Sequence, residues 1–257
     1  MTSFIVKLAD IPVQIWPVHR EMAYFLRDYR SAEEPRFEIR MEQADIDAER
    51  QRDREERQRD GRPPFSGGDD RYLETLALYR KLAERMLRED VILFHGSAIE
   101  VDGEAYLFTA RSGTGKSTHS RLWREHFGDR AVMINDDKPL LRVTEEGVTV
   151  YGTPWNGKHH LGENRSAPLK AICILSRAQE NRIRPVTAED AFPALFQQCY
   201  LPRDGEELPR VLELLERLSR KVRLYRLGCN MEKEAALVSY QGMQERDQKD
   251  EIQEERT

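Results

Sequence analysis

The feature that most constrains this chain is the stretch Ala110-Arg111-Ser112-Gly113-Thr114-Gly115-Lys116-Ser117-Thr118. It lies between a strand-like run, Ala105 to Thr109, and a helical one, Lys116 to Phe127. It ends in the Gly-Lys-Ser of a Walker A loop. Gly113 and Gly115 let the backbone turn tightly with no Cβ between it and a phosphate. The amides from Gly113 to Ser117 can then share one concavity, to which the following helix adds its positive end. Lys116 is placed to reach the outer phosphates of a nucleotide, and Ser117 Oγ to ligate Mg²⁺. Ser112 to Thr118 is therefore the expected phosphate-binding segment. The motif's first glycine is replaced by Ala110, a position of turn geometry rather than phosphate contact.

A second feature, Asn135-Asp136-Asp137-Lys138, follows the strand-like Ala131 to Ile134. Carboxylates at the C-terminal end of a strand sit at the sheet rim, where a phosphate loop also opens. One can hold Mg²⁺ and its neighbour can take a proton from an attacking hydroxyl. Two adjacent carboxylates also raise each other's pKa, which helps a base.

The run from Phe94-His95-Gly96, through the hairpin to Thr109 and the loop Ser112 to Ser117, to Asn135-Asp136-Asp137 resembles the catalytic core of HPr kinase/phosphorylase. That family shares its phosphate-binding core with the phosphoenolpyruvate carboxykinases. Gly152-Thr153-Pro154-Trp155 brings the chain close to shorter HPr-kinase-like proteins often met beside peptide-modification genes. The resemblance is specific over Leu93 to Leu141. It implies an α/β fold: a carboxykinase-type P-loop core with a mixed sheet, preceded by a small α+β region. It implies ATP and Mg²⁺ as cofactors and transfer of the γ-phosphate to a Ser or other hydroxyl of a peptide or small protein. Catalytic roles fall on Asp136 as base, His95 beside it and Lys116, with the metal on Asp137 and Ser117. Thr118 stands where HPr kinases carry Glu and carboxykinases Thr. The family's Gly-, Arg- and Ile-rich segment is replaced by Trp155 to Arg165, where Lys158 and Arg165 can supply charge and Glu163 a second metal ligand. Two other readings remain: a nucleotide-binding scaffold, and a carboxykinase-like or phosphorolytic transferase on a small molecule.

Composition narrows the partners. Lys plus Arg is 41 against 46 Asp plus Glu, a net charge of −5, which speaks against general nucleic-acid affinity. No apolar run approaches the roughly 20 residues that span a bilayer. Cys173, Cys199 and Cys229 form neither a metal-type pair nor a disulfide framework, so a reducing cytoplasmic setting is expected. His159-His160 lacks the spacing of a zinc site. Homo-oligomers remain open.

The expected organisation is a small α+β region over 1–89, a catalytic domain over 90–243 and a frayed, charged tail over 244–257. In the first part, Phe4 to Ile15 predicts one or two strands, and Met41 to Asp60 a solvated helix or arm with pairs such as Asp53/Arg57 at helical spacing. Arg62 to Gly68 reads as a linker. Tyr72, Leu76, Tyr79, Leu82, Ala83 and Met86 predict the core face of a helix capped by Asp69 or Asp70.

Overall fold

The computed structural model describes residues 2–61, 63, 69–157, 159–202 and 205–254, with side chains as far as 244. The expected linker apart from Pro63, Lys158 in the loop and residues 255–257 lie outside the described residues. The chain is α/β and divides into two compact units, Met1–Glu89 and Asp90–Thr257.

The first unit begins with β1 (Phe4–Leu8) and β2 (Ile11–Trp16), an antiparallel hairpin. Its two-residue turn, Ala9-Asp10, has both residues at positive φ, as a tight hairpin turn that matches strand twist requires. Pro12 does not break β2, because it pairs with Lys7 across the hairpin and its carbonyl accepts from Arg36. After a short helix, α1 (Met22–Phe25), β3 (Phe37–Arg40) joins β2 in parallel. Only four residues long, β3 is too short to announce itself by alternation.

The charged segment forms α2 (Gln43–Arg59), opened by a reciprocal capping box between Glu42 and Asp45. It is not free of its surroundings: Ile46 is fully buried, and buried Glu49 is paired with Arg52 and Arg80. Next comes α3 (Asp70–Met86), where Asp69 caps the amide of Arg71. The buried face is Leu73, Glu74, Ala77, Leu78, Leu82, Ala83 and Met86, so Leu82, Ala83 and Met86 are buried as expected while Leu76 and Tyr79 are half-buried at its margin. Tyr72 lies outside it and is 58% exposed. Glu74 belongs to the buried face because its carboxylate accepts the amides of Val18 and His19 and pairs with the imidazole of His19.

In the second unit, β4 (Val91–Leu93), β5 (Ser97–Val101) and β6 (Glu104–Thr109) precede α4 (Lys116–Phe127) and β7 (Ala131–Asn135). Asp102-Gly103, both at positive φ, turns β5 into β6. Then follow β8 (Leu140–Val143), β9 (Val148–Tyr151) and β10 (Ser166–Arg177). The last elements are β11 (Arg182–Pro185), α5 (Ala188–Phe196), α6 (Leu208–Lys221), β12 (Arg223–Cys229) and α7 (Glu234–Glu254). The tail expected to fray from 244 thus continues as helix to Glu254, in keeping with the good helix formers Gln, Glu and Lys there.

β10 organises this unit. Its first residues pair antiparallel with β9, while the remainder lies between β6 and β12, parallel to both. Ala171 to Cys173 is fully buried, as a strand covered on both faces must be. The strand order β12-β10-β6-β5-β7 brings the ends of β12, β10, β6 and β7 to one sheet edge. One face carries a core in which Trp123 of α4 packs on Tyr106 and Phe108.

Ser239 of α7 fastens α4 to that core. Its buried hydroxyl accepts the indole N–H of Trp123 at 2.8 Å, meets His119 Nε2 at 3.2 Å and donates to the carbonyl of Ala236. Ser239→Ala strands two buried groups, so a loss of about 1–3 kcal/mol is expected in urea unfolding. An unchanged midpoint would mean that these bonds add nothing net.

Candidate active site

The loop after β6 departs from regular structure at Ala110, which is buried and has a negative φ that any L-residue adopts. This is why alanine serves where the motif has glycine. Gly113 (φ 75°) and Gly115 (φ 126°) occupy conformations that a Cβ disfavours, and Gly115 is the N-cap of α4. Lys116 folds back over the loop, its Nζ donating to the carbonyl of Ala110 at 3.1 Å. Burial lowers its pKa below the usual ammonium range, with Asp137 pulling the other way and Lys138 adding to the fall. Ser112, Gly113 and Ser117 are exposed, and Thr114 and Thr118 partly so.

Arg177, at the end of β10, was not anticipated. Its guanidinium donates to the carbonyl oxygens of Gly113 at 2.6 Å and Thr114 at 3.4 Å. Holding these carbonyls on the outside of the turn fixes the planes of the peptides whose amides belong to the loop. With Arg111 and Arg226, it also lines a cleft of about 440 Å³ that reaches α5.

The acid pair is set by its neighbour Asn135, fully buried at the end of β7. Its Oδ1 accepts the amides of Asp137 and Lys138, and its Nδ2 donates to Thr153 and Asn156. The two carboxylates then part company. Asp137 meets His95 Nε2 at 3.3 Å and Lys138 at 3.8 Å, and it shares a mutual electrostatic influence with Lys116. Burial raises the Asp137 pKa, but the His95 hydrogen bond and the charges of Lys138, His95 and Lys116 outweigh it, leaving the carboxyl below its usual range. Asp136 turns to the Trp155 loop, its Oδ1 accepting the Gly157 amide at 2.7 Å. A Cβ on Gly157 would come within 3.0 Å of Asp136 Oδ2, so the close approach is made for glycine.

His95 is held between strands. Its amide donates to the carbonyl of Gln198, and its carbonyl accepts from Thr109 Oγ1. The structure therefore brings Lys116, His95 and Asp137 into one electrostatic neighbourhood and puts Asp136 beside them on the loop side. Ser117 and Asp137 offer the hard oxygens that suit Mg²⁺, and Asp137 stays ionised as a ligand must.

Other candidates resolve differently. Arg165 is paired with Glu100 of β5 at 2.8 Å, so its charge is already engaged, and Glu163 points largely to solvent. His159 and His160 are exposed, and no group of three His, Cys, Asp or Glu suited to a metal occurs among the described residues. Trp155 is buried and anchors its loop. Cys173 and Cys199 are buried, and burial raises the pKa of all three thiols.

His119 is 2% exposed, and burial pushes its pKa from 6.5 down to about 4. The unfolded chain takes up this proton near 6.5 and the folded chain resists it. Stability from this group is therefore complete above pH 6.5 and lost as pH falls toward 4. The loss is about 3 kcal/mol. Unfolding free energies from urea titrations at pH 7 and pH 4 should differ by that much more in the native chain than in His119→Asn. Equal pH dependence in the two would refute it. Arg177→Ala should speed hydrogen exchange at the amides of 113–115 by about three- to ten-fold. Arg177→Lys should recover part of the protection; no change in either variant would show that the carbonyl contacts do not order the loop.

No family model matches the chain, and no curated protein does. Among solved structures it is similar to the HPr(Ser) kinase/phosphatase from Coxiella burnetii, with a TM-score of 0.29 and 14% identity, over 50% of this chain and 90% of that one.

Proposed function

We propose that the second unit is an ATP- and Mg²⁺-dependent kinase that transfers the γ-phosphate to a hydroxyl, a Ser side chain of a peptide or small protein being the expected acceptor. The observation that carries this is the convergence at one sheet edge of a glycine-bent loop bearing Lys116 and a turn bearing Asp136 and Asp137. Lys116 and Asp137 lie close enough to shift each other's protonation. Phosphoryl transfer asks for this economy: positioning and neutralisation of charge, with little covalent chemistry by the protein.

In this reading the amides of Gly113 to Ser117 and the end of α4 hold the phosphate chain. Lys116 exchanges the Ala110 carbonyl for phosphate oxygens. Ser117 and Asp137 hold Mg²⁺, which when bound neutralises the developing phosphate charge. His95 keeps Asp137 oriented. Asp136 accepts the proton of the attacking hydroxyl, with the Gly157 amide fixing its carboxylate. The acceptor then approaches from the side of the Trp155 to Arg165 loop.

Asp136→Asn should leave ATP binding within about two-fold and lower transfer by about 100-fold or more, the usual weight of a general base. The measurement is transfer of labelled phosphate from ATP to candidate peptides, with calorimetry for binding. Normal turnover by the variant would remove Asp136 from the role. A native protein that binds ATP and labels no hydroxyl-bearing peptide would favour the scaffold reading instead.

A further inference from the structure

The cleft of about 440 Å³ on the α5 side of the loop carries an unbalanced charge. Arg111, Arg177 and Arg226 line it, and among the described residues no Asp or Glu does. Arg177 donates to the carbonyls of Gly113 and Thr114, and Arg226 to the carbonyl of Asp190 at 2.8 Å. None of the three is paired with a carboxylate among the described residues. Exposed Arg184 of β11 adds a fourth charge at the margin. It stands directly opposite Arg226 in the antiparallel pair of β11 and β12, so the two side chains share one face of the sheet. Like charges so placed repel and weaken the strand pair. The rest of the wall is neutral, with Ile174, Leu175, Pro193 and Ala194 supplying apolar surface. A cleft of one charge sign with low-dielectric walls concentrates its field on what enters it. Arginine's planar fork matches a carboxylate through two parallel hydrogen bonds.

Two residues of the wall tie this cleft to the acid pair. The His95 amide donates to the carbonyl of Gln198 at 2.7 Å, and Thr109 Oγ1 donates to the carbonyl of His95 at 3.0 Å. His95 Nε2 in turn meets Asp137 at 3.3 Å. Ala110, also in the wall, is the residue whose carbonyl holds Lys116. The acid pair therefore lies between the Trp155 loop, which Asp136 contacts, and the cleft. The phosphate chain of a nucleotide has no need of this space. The cleft meets the loop at Thr109 to Arg111, ahead of the phosphate-binding amides, and at Thr114, whose amide the Arg111 carbonyl already holds. An acceptor that brings its hydroxyl to Asp136 from the loop side extends past the acids into the cleft with its neighbouring residues.

We infer that this cleft recognises carboxylate side chains of the acceptor, so that the preferred substrate is a peptide carrying Asp or Glu within a few residues of the hydroxyl that receives phosphate. The inference rests on the kinase reading above and adds to it the chemical class of the acceptor.

The test uses the full chain with Mg²⁺ and labelled ATP. Synthetic peptides carry one Ser in a run of Ala, with Asp in place of Ala before it or after it, or Lys in place of that Asp. At least one Asp peptide should show a kcat/KM about ten-fold above the all-Ala peptide, through a lower KM, and the Lys peptides should fall below it. The advantage should shrink as salt rises. Arg226→Gln and Arg184→Gln should each remove about two- to five-fold of it, leaving kcat/KM for the all-Ala peptide and the KM for ATP within about two-fold. Arg226→Lys should keep most of it. Fluorescence anisotropy should show the same Asp peptide binding without nucleotide, and Arg226→Glu should abolish that binding. If Asp and Ala peptides turn over alike, or if the arginine variants slow both equally, the acidic acceptor is overturned while the kinase stands. Binding of inorganic phosphate that Arg226→Gln weakens, with no preference among the peptides, assigns the cleft to a free anion and overturns it too. If no peptide is labelled, yet the Asp peptide binds and Arg226→Glu releases it, the kinase reading falls and the acidic-peptide site stands. If none is labelled and none binds, both fall.

Discussion

The buried side chain of Asn135 is the interaction on which the site's geometry depends. One amide group, shielded from water at the end of β7, holds the amides of Asp137 and Lys138 with its oxygen. With its nitrogen it holds Thr153 and Asn156. Such a bond adds only about 0.5–1.5 kcal/mol net, but leaving a buried partner unmade costs more. The turn bearing the two aspartates and the loop that begins at Gly152 are thereby locked to the same strand end. Adjacent carboxylates are forced apart, one toward Lys116 and His95, the other toward Gly157.

The phosphate loop is held by a comparable economy. Lys116 rests on the carbonyl of Ala110 within, and Arg177 grips two carbonyls without. Both cations occupy carbonyl oxygens rather than amides, while within the loop the Thr114 amide is taken by the carbonyl of Arg111. Behind them, neutral His119 and Ser239 tie α4 to the aromatic core. The first turn of α4 thus stands on a packed base rather than on the loop alone.

Much of this was legible in the residues. The Gly113, Gly115 and Lys116 pattern fixes a strand, loop and helix because few backbones accept that composition, and α4 spans Lys116–Phe127 as expected. Asp102-Gly103 likewise specifies its turn. Other elements were not legible. β3 and β11 are four residues each, too short for periodicity to separate from loop. On α3 the expected Leu82, Ala83 and Met86 are buried, but Glu74 was not legible as a buried residue, because a glutamate looks like surface until its partners at Val18 and His19 are known. Arg165 looked like a free cation; only the fold supplies Glu100 opposite it.

By itself the sequence determined the local chemistry: where the chain can bend around an anion, which lysine and hydroxyl follow the bend, and that two acids end a buried strand. These follow from backbone sterics and side-chain type over a few neighbouring residues. Tertiary structure decided direction and company. Which aspartate faces Lys116, which arginine tethers the loop and which flank of it opens into a cavity all depend on residues more than 20 positions apart meeting across the sheet. Spacing along a chain cannot encode those meetings, because they are set by strand order and by which buried polar groups must find a partner.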